Sequence, residues 1–316
     1  MLLLVYVSNQ WSRNLVYYVQ NFDAPATEAA VKEFMNVGIG FDETQYGLLA
    51  SFSFTILFSS FSLVAGRVVD VVSKKTVTVV SCLVWSLMTA GTALATTFPA
   101  VFALRVVQGS SQAFTTPAAY TLISEIFPPG SRGTANSIYS GGVYLGGALA
   151  SLSLLLNSTI GWRDSHVVVA IGGFLTALLA LGLVRESGWA SEGAPAAGAG
   201  TAMGKKKGER QGKAAGADPK AVSKDIAGKG GSGGELGFRE ALGVVFETKT
   251  AVLLYVASAL RFCAGFGIGV WSAPYFREVY PSFTSDYAVL NALVVGAGGL
   301  VSSFVGGLIS DRFSTK

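Results

Sequence analysis

Histidine is almost missing from this chain, which holds one in 316 residues, His166. A histidine-built metal cluster is therefore excluded. Placed beside Arg163 and Asp164 at the start of an apolar run, His166 reads as an interfacial residue, not a catalytic or proton-relay group. Cysteine is scarce too. Cys82 and Cys263 each lie inside an apolar run, which excludes a disulfide framework and a structural zinc site. Charge is thin: 13% of residues are charged against 51% hydrophobic, too little polarity to cover a soluble globule of this length. No His, Cys or paired carboxylates converge within the apolar runs, so enzyme chemistry, a cofactor and a metal are not expected. Phosphate loops are missing as well, since Gly228-Lys229 is followed by glycine, and Gly265-Phe-Gly267-Ile-Gly269 sits mid-run as a helix-packing pattern. The net charge of +4 does not argue for nucleic acid, because the positive residues occupy one loop and the flanks of apolar runs.

What is present is a series of apolar runs near 1–20, 44–66, 76–97, 100–127, 134–157, 165–184, 250–274 and 286–307. Each is about twenty residues, the length of a bilayer-crossing helix. The expected fold is all-α and polytopic, with eight spans in the lipid bilayer. Asn9, Gln10 and Arg13 interrupt the first run and argue against a cleaved signal peptide. Residues 21–43 form an acid-rich loop. Residues 186–248 are Gly, Ala, Lys and Ser with almost nothing to bury, and read as a disordered cytoplasmic linker. It divides six spans in 1–185 from two in 249–316. Arg67, Lys74, Lys75, Arg132, the linker, Arg312 and Lys316 all fall on one side, which predicts a cytoplasmic amino terminus.

Two stretches repeat. Gly66–Lys75, GRVVDVVSKK, returns 241 residues later as Gly307–Lys316, GLISDRFSTK, with Thr44–Leu49 matching Ser285–Leu290 in the same register. Each copy is an apolar run, a glycine, an aspartate four residues on and a terminal lysine. Glycine lets helix ends approach closely, and an aspartate at the membrane edge can accept from a neighbouring helix N-terminus. Gly66, Asp70, Lys74, Lys75, Gly307, Asp311 and Arg312 are thus the candidates for a conformational-gating loop.

These residues resemble the loop signature of the major facilitator superfamily, Gly-x-x-x-Asp-[Arg/Lys]-x-Gly-[Arg/Lys]-[Arg/Lys], found after helix 2 and again after helix 8. Val71 and Ser73 depart from it in the first copy, Ser314 and Thr315 in the second. The resemblance implies two six-helix halves, of which this chain would hold the first and two helices of the second; four further helices are then expected and the chain reads as a fragment, with a mature eight-helix protein as the alternative. Arg105-x-x-x-Gly109 is similar to the helix 4 motif whose arginine serves proton coupling or substrate binding in that superfamily. Within the superfamily the likeness is to Spinster-like lipid transporters. Their helix 1 has Asn-x-x-Asp-Arg, here Asn9-Gln-Trp-Ser12-Arg13, and their helix 4 an acid where Gln112 stands before Ala113. Trp271-Ser-Ala273-Pro274 is similar to their Trp-x-Pro. Ser12 and Gln112 cannot titrate near neutral pH, so simple proton coupling through those two positions is not expected.

Intramembrane cations cost several kcal/mol unless they face a polar cavity or a partner. Arg13, Arg105 and Arg261 are three such residues. Asn9, Arg13 and Tyr17 share one face of the first helix; Arg105, Gln112, Thr116 and Tyr120 form a stripe on the fourth, flanked by Gln108. The alternative is that Arg13 or Arg105 snorkels to an interface. Two stripes imply a shared wet cavity, with Asn136, Tyr144 and Asn291 as orienting partners. Gly142 and Gly146 give the fifth helix a small-residue face. The expected function is alternating-access transport of a small organic solute, anionic or zwitterionic, with lysolipids among the options the resemblance implies and a proton or sodium ion as coupling ion. A second reading, a non-transporting sensor or scaffold acting through the linker, is separated from it by deleting residues 190–235. Glu125 reads as a structural acceptor for Arg132 or a loop backbone, Asn157-Ser-Thr159 as a glycosylation sequon, and Trp162, Trp271 and Tyr275 as interfacial anchors.

Overall fold

The computed structural model describes residues 1–184, 246 and 249–314. The expected linker lies outside them apart from Phe246. Every described element is helical: α1 (Leu2–Asn14), α2 (Glu28–Glu33), α3 (Met35–Ile39), α4 (Glu43–Gly47), α5 (Ser53–Val71), α6 (Lys74–Leu94), α7 (Phe98–Gln112), α8 (Thr115–Ile126), α9 (Arg132–Ser140), α10 (Gly142–Ile160), α11 (Trp162–Leu183), α12 (Lys249–Val279), α13 (Thr284–Leu293) and α14 (Gly299–Ser314). The chain divides into two units, Met1–Ser191 with Ile268–Lys316, and Glu192–Gly267. Within the second, the described part of α12 is an apolar helix that carries Arg261.

Helical segments occur at all eight expected positions, but among the described residues six are long and apolar enough to cross a membrane: Glu43–Val71, Lys74–Leu94, Arg132–Ile160, Trp162–Leu183, Val252–Val279 and Pro281–Ile309. The two that fall short are the two that carry the polar stripes. α1 tightens into a 3-10 turn at Leu15–Tyr17. The fourth segment breaks between α7 and α8 at Ala113-Phe114, because Pro117 has no N–H to offer the Ala113 carbonyl. Both repeated helices contain a π turn, Leu48–Phe52 before α5 and Val294–Gly298 between α13 and α14.

In the first unit the packing turns the usual polarity inside out. Leu87, Leu178 and Leu183 are exposed, whereas Asn9, Arg105, Gln108 and Gln112 are buried. Leucines outward and polar groups inward is the distribution of a helix bundle in lipid. α1 packs on α6, α10 and α11; α7 lies against α5 and α6; α13 packs on α10 and α14 on α9. The small-residue face of α10 is used against α1, for a Cβ at Gly146 would come within 2.5 Å of Gln10 Cβ and 2.7 Å of the Val7 carbonyl oxygen. Gly161, at φ 91°, turns α10 into α11 where a side chain would meet the Lys32 carbonyl, and so sets Trp162 and His166 against the bundle.

Three expectations change here. Trp162 is fully buried, its indole donating to the Val31 carbonyl at 3.2 Å, so it is a packing residue instead of an interfacial anchor. Asn157 is also fully buried and donates to the Glu33 carbonyl at 2.6 Å, which withholds its amide from a glycan. Glu125 accepts from Lys74 at 3.2 Å, while Arg132 donates to the Phe127 and Ser124 carbonyls.

Candidate functional site

The site grows from one close approach. A Cβ at Gly109 would stand 2.9 Å from the Phe54 carbonyl oxygen and 3.1 Å from its ring, so α7 admits α5 only because the residue is glycine. The buried Phe54 ring consequently lies beneath two guanidiniums at once. The Arg13 guanidinium carbon is 4.3 Å from its centroid and 4.7 Å from that of Phe58, and the Arg105 carbon is 5.5 Å from Phe54 and 5.9 Å from Tyr17. An aromatic face attracts a desolvated cation by about 2 kcal/mol, too little to replace a counter-ion.

Neutral side chains complete the shell. Arg13 Nε donates to Gln112 Oε1 at 3.1 Å, and Gln112 Nε2 in turn donates to Ser12 Oγ at 3.1 Å and the Asn9 carbonyl at 3.3 Å. Arg105 Nη1 donates to Gln108 Oε1 at 3.2 Å, and Gln108 Nε2 reaches the Ser12 carbonyl and Thr89 Oγ1, each at 3.3 Å. Neither arginine has a carboxylate partner among the described residues. Arg105 is 5% exposed, and its Nε and Nη2 have no hydrogen-bond partner among the described residues; Asn9 Oδ1 is in the same position. The alternative of snorkelling arginines is thereby replaced by two cations held inward. Beside them Tyr6 stacks on Tyr139 at 4.5 Å, and Tyr120 meets Tyr139 edge-on at 5.5 Å.

Of the residues expected at the site, Asn9, Arg13, Tyr17, Arg105 and Gln112 are brought together. Asn136 lies on α9 with a buried Oδ1 that has no partner among the described residues. Tyr144 packs against Gly299, and Asn291 donates to Tyr18 Oη at 3.2 Å and Ser151 Oγ at 3.0 Å. Both tie α10 to α13 and α14. Arg261 belongs to the second unit and stands apart from this description.

At the end of the bundle where α6 begins, Asp70 is exposed and Lys74 holds Glu125. The close approach expected at both repeat glycines occurs at Gly307, where a Cβ would collide with Ser137 and come within 3.2 Å of the Gly133 carbonyl; nothing lies within 4 Å of one at Gly66. The Asp311 side chain lies outside those described. At the opposite end the structure adds a residue that sequence patterning passed over. Arg277, 7% exposed, donates through Nη1 to the Gln20 carbonyl and through Nη2 to the Tyr18 carbonyl at 2.9 Å, with Phe34 5.0 Å beneath it. Partial burial raises the Glu33 carboxyl above its ordinary range, and the Arg277 field draws it back down. Tyr46 Oη donates to the Val270 carbonyl at 2.8 Å, and Trp271 meets the Tyr46 ring edge-on at 5.3 Å. Trp271 and Tyr275 line a crevice of about 300 Å³ at this end together with Asp23, Glu43 and Glu278.

Comparison with known proteins agrees with this architecture. A bacterial homologue of the human lysosomal transporter Spinster, in its inward-facing unoccupied conformation, superposes with TM-score 0.67 at 22% identity, over 99% of this chain and 62% of its own. The hexuronate transporter of Bacillus subtilis (strain 168) is 28% identical over 144 residues, 45% of this chain and 34% of its own length. The probable galactarate/D-glucarate transporter of the same organism is 28% identical over 177 residues, covering 52% and 38%. The 3-(3-hydroxy-phenyl)propionate transporter of Escherichia coli (strain K12) is 31% identical over 137 residues, covering 43% and 32%. The aligned regions thus span about a third of these curated relatives. Residues 4–316 match the Major Facilitator Superfamily, and the chain belongs to that family of membrane transporters.

Proposed function

We propose that the protein carries a small organic carboxylate across a membrane by alternating access, with Arg13 and Arg105 as the cations that hold it. The observation that carries this reading is the cationic pair without a counter-charge: two inward guanidiniums share Phe54, and Arg105 keeps two N–H-bearing nitrogens unpartnered among the described residues. A carboxylate matches that donor fork in geometry and in charge. The names of the three curated relatives support the same class, since hexuronate, galactarate or glucarate, and hydroxyphenylpropionate are all organic acids. Asn9 and Asn136, each with a buried carbonyl oxygen awaiting a donor, would take substrate hydroxyls. Gly66, Asp70, Lys74, Lys75, Gly307, Asp311 and Arg312 would form the gating loops, on the cytoplasmic side with the amino terminus.

The test is uptake by the purified protein in liposomes, with D-glucuronate, D-glucarate, 3-phenylpropionate and a lysophospholipid as candidates. Uptake of at least one carboxylate is expected, reduced about tenfold or more by Arg105→Ala, since every 1.4 kcal/mol of lost binding is a factor of ten. Equal uptake of every candidate by the variant contradicts the proposal.

A further inference from the structure

His166 does not sit at the interface where sequence patterning put it. It is 4% exposed and lines a cavity of about 10 Å³ among α1, α6, α7 and α11, room for about one water molecule. Ser12, Thr89, Arg105 and Gln108 share the wall, so the imidazole stands behind the cation proposed to hold substrate. Its Nδ1 is 2.7 Å from the Trp162 carbonyl oxygen. A carbonyl only accepts, so Nδ1 carries the hydrogen and Nε2 is the basic nitrogen. No hydrogen-bond partner for Nε2 occurs among the described residues.

The surroundings of this ring are cationic. α7 contributes Arg105. On its own helix Arg163 donates to the Ala93 and Ala95 carbonyls, and Asp164 is exposed. α1 presents Ser12 and Val16, α6 Thr89 and Thr92, and α3 Met35. Lys32 and Glu33 on α2 lie at the same end but do not line the cavity. Arg13 lies over Phe54 and Phe58, away from this wall. Ser12 and Gln112, which neighbour the two arginines, hold no proton to exchange near neutral pH.

We infer that His166 is the proton-coupling group of this carrier, taking one proton on Nε2 for each carboxylate that Arg105 holds. The inference rests on the proposed role of Arg105. A proton on Nε2 alone would add a third positive charge beside Arg105 and Arg163; a carboxylate on Arg105 offsets one of them and stabilises the imidazolium. The proton comes from water on the side where the anion enters and returns to water on the side where it leaves. No bond of the anion changes. Linkage makes the effect reciprocal, so anion affinity rises as pH falls, by on the order of tenfold per pH unit through the titrating range.

His166 is the sole histidine of the sequence, which makes its ring assignable without ambiguity in protein labelled with 15N-histidine. The neutral ring should show the Nδ1–H tautomer. Arg105→Gln should move the protonation midpoint upward in the absence of any anion, and D-glucuronate should move it upward in the wild type but not in that variant. In liposomes, His166→Asn, which keeps a donor for the Trp162 carbonyl, and His166→Gln should lose the stimulation of uptake by an inside-alkaline gradient while still exchanging labelled for unlabelled anion. A midpoint indifferent to Arg105→Gln overturns the inference, as do variants that fold and keep full stimulation by the gradient. Failure of the wild type to take up any carboxylate at any pH instead defeats the role proposed for Arg105, and the anion-free midpoints still decide whether the two side chains are electrically joined.

Discussion

Gln112 is a residue whose two ends do different work: its oxygen accepts from Arg13 and its nitrogen supplies Ser12 and the Asn9 carbonyl. A carboxylate there would satisfy Arg13 and leave the other two without a donor. Gln112→Glu is therefore expected to neutralise the cation and cut carboxylate uptake by about tenfold, measured against unchanged amounts of folded protein. Gly109 contributes by lacking a side chain. Gly109→Val forces α7 off the Phe54 backbone, and thermal unfolding in detergent should show a loss of about 1–3 kcal/mol. The arginines were legible in the sequence because charge inside an apolar run is rare and its helical period is readable. Phe54 was not, since an aromatic among so many apolar residues carries no mark; its role follows from its close approach to Gly109 on another helix. His166 was missed for the opposite reason. Two charged neighbours in sequence suggested an interface, whereas the positive φ of Gly161 turns the ring inward.

At the level of elements, helix existence was readable and helix continuity was not. Apolar runs gave the positions, but the tightening of α1 at Leu15–Tyr17, the break at Ala113-Phe114 and the two π turns depend on local hydrogen bonding that hydropathy does not report. The glycine face of α10 was readable from its four-residue spacing, and it meets α1. Gly146→Leu should push Gln10 and the Val7 carbonyl away, separating α1 from α10 and lowering the unfolding temperature more than the same change at Gly182, where nothing lies within 4 Å. The Lys74–Glu125 pair is a weaker element of the fold, with side chains 12% and 38% exposed. Glu125→Gln should change stability by less than about 1 kcal/mol in the same assay.

For the molecule as a whole, the structure joins Ile268–Val279 to the end of α1 through Arg277, which supplies N–H groups to two backbone carbonyls where the helix has run out of its own. Arg277→Ala should loosen that end, and hydrogen exchange of residues 15–22 should quicken by about tenfold, the scale of a charge-assisted hydrogen bond lost. Whether the cationic pair of Arg13 and Arg105 selects a negative charge is tested most directly by comparing liposome uptake of D-glucuronate, D-glucarate and 3-phenylpropionate with uptake of their uncharged amides, in the wild type and in the Arg13→Gln/Arg105→Gln double variant. Uptake of a carboxylate but not its amide, with the preference abolished in the double variant, is the expected result. Equal transport of acid and amide by the wild type, or a preference that survives loss of both arginines, would contradict it.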